Sequence, residues 1–268
     1  MKYSLLIISV MLTSLFSSEV EHFARFEHNG QINYGRISAQ SIQAFKGDLF
    51  GTLEPIGKPI ALSSVKLLLP TEPQKVFAVG MNFASHMASA SDAPPPLFLK
   101  LPTSLILSGE AVHLPKDATN VHFEGELVLI IGKRAKNISE AEAKDVIFGV
   151  TVGNDLTERN WQGSDLQWMR SKASDGFGPL SPIVVKGVDY NNVLLTTKLN
   201  GKIVQQENTS FMIHKPARVV SYLSQYFTLM PGDIIFMGTP GRTQALSDKD
   251  IVSVTIDKIG TVENEIRK

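Results

Sequence analysis

The sequence predicts a β-rich α+β fold, with a large mixed-sheet domain preceded by a small β-rich unit. Strand-like segments rich in β-branched and aromatic residues outnumber helix-like ones, and they do not alternate with helices as a doubly wound sheet requires. Residues 23–69 are themselves a series of short strands punctuated by turn residues, ahead of a break bounded by Pro70 and Pro73. With 268 residues, 43% of them apolar, the chain is long enough to bury a sizeable core.

The elements follow in order. Lys2 precedes an apolar run over 3–16 and then Ser17, Ser18 and Glu19, the shape of a secretory leader, so residues 1–18 are expected to direct export to the periplasm. The alternative is a buried first strand in a cytoplasmic protein. The run is shorter than the roughly 20 residues of a membrane span, so no stable span is expected. A small domain over 19–70 opens with strands at 23–27 and 31–37 around an Asn29-Gly30 turn. The main domain, 71–268, opens with a compact apolar strand at 75–80. A short helix is expected over 82–91, broken by Asp92-Ala-Pro-Pro-Pro96 into a mobile flap. Strands are expected at 97–101, 121–131, 146–153, 183–185, 194–200, 233–237 and 251–256. Ser139, with Glu142 three residues on, opens one helix as a capping box, and Pro216 sits in the first turn of another over 215–228.

Composition narrows the function classes. Lys and Arg number 26 against 26 Asp and Glu, with no basic block, so neither nucleic acid nor an anionic membrane surface is indicated. There is no cysteine, which excludes disulfides, thiol nucleophiles and thiolate metal sites. His, Asp and Glu are left as metal ligands.

The most informative stretch is His122-Phe-Glu-Gly-Glu126 at the head of an apolar strand. Period-two alternation puts His122, Glu124 and Glu126 on one face and Phe123, Leu127, Leu129 and Ile131 on the other. Two carboxylates one strand repeat apart either share a hard cation such as Mg2+ or form a solvated face. The next apolar strand delivers Asn154-Asp155 at its C-terminal end, where Asp155 is either a third ligand or a cap for a helix over 156–161.

The chain resembles the fumarylacetoacetate hydrolase family across roughly residues 75 to 260. The resemblance is carried by Val79-Gly-Met-Asn82-Phe-Ala-Ser-His86, Leu97-Phe-Leu-Lys100, Glu124-Gly-Glu126-Leu and Gly149-Val-Thr-Val-Gly-Asn-Asp155-Leu-Thr-Glu-Arg159. It continues through Gln167-Trp-Met-Arg-Ser-Lys172, Pro179-Leu-Ser-Pro182, Asn200-Gly201, Asn208-Thr-Ser and Gly238-Thr-Pro240. It implies a mixed-sheet roll, a homodimer, and one Mg2+ or Mn2+ held by Glu124, Glu126 and Asp155. The ion, as a Lewis acid, receives a small 2-oxo acid and steadies the enolate formed from it. Lys172 and Gln162 then line the site as catalytic groups, Thr239, Lys100 and Arg170 contact substrate, and Arg159 supports Asp155. His86 takes the place of the histidine that withdraws a proton from water.

The glutamate that many such proteins carry three residues beyond this histidine is Ser89 here, and Asp92 falls on another helical face. The first expectation is hydrolysis of a carbon–carbon bond in an acylpyruvate or β-diketo acid. The alternative keeps the metal for isomerisation, tautomerisation or decarboxylation of a 2-oxo acid. A third is a non-catalytic metal- or oxo-acid-binding protein. Ser174, Gly176 and Gly178 are expected to widen the pocket.

Overall fold

The computed structural model describes residues 19–86 and 93–268. The expected leader over 1–18, together with Ser89 and Asp92, lies outside them. At the centre is the strand Gly125–Ile131, buried along its whole length. Its sequence is apolar on both sides because both sides meet a core. Leu127, Leu129 and Ile131 enter one hydrophobic cluster, and Val128 and Ile130 enter another. It is flanked antiparallel by Ile147–Asn154 and Ile234–Phe236.

From there the sheet extends through Val76–Val79 to Leu97–Lys100 on one side. On the other it extends through Ile183–Lys186 to Glu21–His28, Gln31–Ser38 and Ser41–Lys46, within 14 strands in all. The first hairpin turns at Asn29 and Gly30, which have φ of 51° and 75°, as the Asn-Gly pair predicts. Glu21–His28 pairs along Ile183–Lys186, so the residues of the small unit continue the large sheet rather than forming one of their own.

A second sheet of five strands, including Leu194–Leu199, Lys202–Asn208, Ile251–Ile256 and Gly260–Arg267, covers the first. Leu195, Val254, Ile256 and Val262 share the cluster with Leu127 and Leu129. The pairing is mostly antiparallel, with parallel pairs such as Ile234–Phe236 with Val76–Val79, so the fold is a mixed-sheet, β-rich α+β roll. The helices Glu140–Val146 and Pro216–Tyr226 pack on it. The first carries the Ser139–Glu142 capping box, and the second buries Val219, Val220 and Leu223. No helix among the described residues is long and apolar enough to cross a membrane.

Two local expectations need correction. The segment 121–131 is not one strand: Val121–His122 pairs with Thr157–Glu158, and the chain bends at Phe123 and Glu124 before Gly125–Ile131 begins. At 82–86 there is no helix, because Asn82 is locked by Met237 and His214 and Phe83 bridges to Met212.

A β-carbon on Gly149 would stand 2.6 Å from the Val185 carbonyl oxygen, where the two halves of the large sheet join. Gly149→Ala is therefore expected to cost about 1–3 kcal/mol through overpacking, read as a lower midpoint in chemical denaturation.

Candidate metal centre and pocket

The register of the central strands assembles the site. Gly125 pairs with Asn154, the Asp155 N–H donates to the Glu124 carbonyl at 2.8 Å, and the Glu124 N–H donates to the Asn154 side-chain oxygen at 2.9 Å. Residues some thirty positions apart are thereby pinned side by side. Glu124, Glu126 and Asp155 each place a carboxylate oxygen within 4.8 Å of the others, all buried. The helix beyond, Arg159–Ser164, is capped by Glu158, whose carboxylate accepts from the Trp161 N–H at 2.7 Å. With that helix capped by Glu158, Asp155 turns into the cluster.

Burial of this much charge demands compensation. The Lys172 Nζ donates to Glu124 and to Asp155, each at 2.5 Å, and the Lys100 Nζ donates to Asp155 at 2.6 Å and to the Lys172 carbonyl. Arg159 donates to Glu124 at 2.5 Å, to Thr243 at 2.9 Å and to Gln162 at 2.8 Å. Burial alone would raise the Glu124 pKa, but Lys172 and Arg159 outweigh it and hold it at about 2. Burial works to lower the Lys172 pKa, yet Asp155 and Glu124 carry it upward, so the ammonium persists. Lys100 goes the other way, lowered by burial against the pull of Asp155.

Glu126 is the exception. Among the described residues its carboxylate accepts from one donor, the Gly238 N–H at 2.6 Å, and no cation bonds to it. Burial, then the Asp155 and Glu124 charges, push its pKa far up. A buried all-oxygen donor set with one carboxylate short of a cation fits a hard divalent ion such as Mg2+ or Mn2+.

The cluster opens into a small pocket whose wall includes His86, Phe98, Gln162, Trp168, Lys172 and Thr239. The His86 Nδ1–H donates to the Gly241 carbonyl at 2.5 Å, which leaves Nε2 as the basic nitrogen. Gly241 is itself fixed, since its N–H donates to Ser85 at 2.9 Å and Ser85 donates to Glu207. Gly238 has φ 89°, and a β-carbon there would lie 2.6 Å from the Asn82 β-carbon. Only glycine lets this backbone reach Glu126.

Of the residues named from sequence, Glu124, Glu126, Asp155, Lys172, His86, Gln162 and Thr239 are brought together. Lys100 and Arg170 are not among the residues that line this pocket. Lys100 is fully buried behind Asp155, and Arg170 lies outside, paired with Asp165 and stacked 4.3 Å over Trp161. Arg159 supports Glu124 rather than Asp155. His122 is held by Asn120 and Thr243 and leaves the carboxylates, because the strand breaks after it. Gly178 does not widen the pocket but makes room for Lys100, whose Cε would be 3.2 Å from an added β-carbon. Sequence reading missed Asn154, Thr243, Gln205 and Glu207. The only signal for the last two is that they alternate on one strand.

The model of the fumarylacetoacetate hydrolase C-terminal domain matches residues 75–267, and that of the Rv2993c-like N-terminal domain matches 21–70. The chain belongs to the fumarylacetoacetate hydrolase family. The 5-carboxymethyl-2-hydroxymuconate delta-isomerase of Mycobacterium smegmatis superposes with a TM-score of 0.87 at 36% identity, over 92% of this chain and 99% of that one. The mitochondrial oxaloacetate tautomerase fahd2 of Xenopus laevis is 33% identical, over 77% of this chain and 70% of its own length. The fumarylpyruvate hydrolase of Pseudomonas aeruginosa, solved with Mn2+ and pyruvate, gives 0.69 at 27% identity, over 74% of this chain and 91% of that one. The family thus contains isomerases, tautomerases and hydrolases.

A carboxyl whose folded pKa is raised holds a proton that the unfolded chain has already released, so metal-free stability falls as pH rises above the ordinary carboxylate range. Glu126→Gln is expected to make the metal-free protein melt higher than the wild type at pH 8 and to abolish Mn2+ uptake. Wild-type Mn2+ affinity should rise with pH, because the ion displaces that proton; calorimetry at several pH values checks both.

Proposed function

We propose that this protein is a divalent-metal-dependent isomerase or keto–enol tautomerase of a small 2-oxo acid. The observation that carries this reading is the partner of His86. Its Nδ1–H is taken by a backbone carbonyl, that of Gly241. A carbonyl fixes the tautomer and aims Nε2, but it lacks the negative charge that would stabilise an imidazolium while hydroxide forms. Moving a proton between a carbon and an oxygen asks less of the base than generating hydroxide. The delta-isomerase and oxaloacetate tautomerase relatives support the same reading. The first expectation, carbon–carbon hydrolysis of an acylpyruvate, keeps the support of the more distant fumarylpyruvate hydrolase.

Glu124, Glu126 and Asp155 would hold the ion, which supplies Lewis-acid polarisation of the oxo and carboxylate oxygens. Thr239 and the Gln162 amide hold the substrate carboxylate. His86 Nε2 takes the proton from the carbon beside the oxo group. The negative charge that moves to the oxo oxygen lies near the Lys172 ammonium, and the proton is then returned to oxygen or to a carbon further along a conjugated chain. Trp168 and Phe98 keep water from the exposed side. Pairing of two copies is proposed along Leu97–Lys100, the last strand of the large sheet, where Leu99, Leu101 and Met169 are exposed. Export is proposed from the apolar run at 3–16 alone.

With Mg2+ or Mn2+ loaded, the protein is expected to speed enol–keto conversion of oxaloacetate without cleaving acylpyruvates, followed by absorbance. His86→Ala should lose roughly 10²–10⁴-fold in rate while still binding metal, and Glu124→Ala should lose both. Acylpyruvate cleavage dependent on His86 would instead establish the hydrolase. A dimer in sedimentation that Leu99→Glu dissociates is the expected result for the apolar edge.

A further inference from the structure

A side chain of the second sheet reaches the loop that lines the pocket. Gln205, on Lys202–Asn208, is 3% exposed and uses its amide at both ends. Its NH2 donates to the Pro240 carbonyl at 2.5 Å and to the Thr239 hydroxyl oxygen at 2.9 Å. Its carbonyl accepts from the Gly125 N–H at 3.4 Å. The Pro240 carbonyl can only accept and the Gly125 N–H can only donate, so the amide has one consistent orientation. The nitrogen therefore faces Thr239, and the Thr239 oxygen is an acceptor toward the protein.

A hydroxyl has one proton. Among the described residues, no acceptor takes that of Thr239, and the residue stands on the pocket wall. A buried hydroxyl proton needs a partner, which the pocket must supply. We propose that Gln205 is a positioning residue that fixes the Thr239 hydroxyl as a donor into the pocket, selecting a ligand that presents an acceptor-only oxygen of the carboxylate kind. This rests on the oxo-acid reading above and adds the reason for it: the one proton of the Thr239 hydroxyl is left for the pocket, and a carboxylate oxygen, which can only accept, is the ligand atom that takes it. Its long bond to the Gly125 N–H orients the amide, while the turn carrying Glu124 and Glu126 is held by other bonds, from the Glu124 N–H to Asn154 and from the Gly238 N–H to Glu126. Thr197 lies opposite Gln205 across the strand pair, and a β-carbon on Gly125 would meet its hydroxyl at 2.3 Å, so the turn can approach this sheet only as glycine.

The test is a double-mutant cycle read by calorimetry on the Mn2+-loaded protein with oxalate as the probe. Gln205→Met is expected to weaken oxalate about tenfold, the loss of one oriented hydrogen bond to a charged group, and to leave Mn2+ affinity within about twofold. Thr239→Val should weaken oxalate similarly, Thr239→Ser should restore near-wild-type affinity, and adding Gln205→Met to Thr239→Val should do no further harm. If Gln205→Met does not fold, Gln205→Glu is read in the same cycle, where its added charge acts in both backgrounds and cancels. An equal loss in both Thr239 backgrounds, no loss at all, or a fall in Mn2+ affinity would overturn the role of Gln205 while leaving the oxo-acid reading intact. Failure of the Mn2+-loaded wild type to bind oxalate would overturn the oxo-acid reading, and this inference with it.

Discussion

Three carboxylates confined within 4.8 Å in a buried position set the terms for the rest of the molecule. Such a group repels itself strongly where water cannot screen it, so the fold must bring positive charge to it or keep one member protonated. Lys172 and Arg159 answer Glu124, and Lys100 and Lys172 answer Asp155. Among the described residues, Glu126 is left with a single backbone N–H. The asymmetry suits a metal site: two carboxylates are paired with cations of the protein, and a third has none bonded to it among the described residues. The same balance explains why Lys100, a pocket residue by resemblance, is spent behind Asp155 instead.

The loop from Gly238 to Gly241 is where this electrostatic demand meets the chemistry. Its first residue donates to Glu126, Thr239 faces the pocket, and the carbonyl of Gly241 orients His86. Four consecutive residues thus touch the carboxylate cluster, the pocket and His86. The loop is held from two directions. Asn82 bonds Met237 just before it, while Gln205 and, by way of Ser85, Glu207 hold it from the second sheet. A loop fixed from both sheets positions its groups without waiting for substrate, the preorganisation that proton transfer and charge stabilisation require.

The partner of His86 separates the possible reactions of this scaffold. Where a carboxylate orients the base, the developing imidazolium gains a charge partner. Here a neutral carbonyl gives direction without charge. Under the proposed reading the metal, Lys172 and Thr239 would serve equally for cleaving a bond or moving a double bond, so the proposed difference rests on one hydrogen-bond acceptor rather than on the fold.

Local sequence carries the strand-rich α+β class, the Asn29-Gly30 hairpin, the Ser139 capping box and the grouping of Glu124 with Glu126. These depend on local periodicity and turn chemistry, which travel with a few adjacent residues. Family likeness added Asp155, Lys172, His86, Gln162 and Thr239. Local pattern could not decide whether Asp155 caps the helix that follows, since that depends on Glu158 taking the cap. Nor could it see that the strand breaks after His122, that Arg170 turns outward to Asp165, or that Gln205 and Glu207 reach the loop at 238–241. Those outcomes belong to the tertiary structure, because they are settled by register between strands and by which buried charge finds which counter-charge, neither of which is encoded within a single stretch of chain.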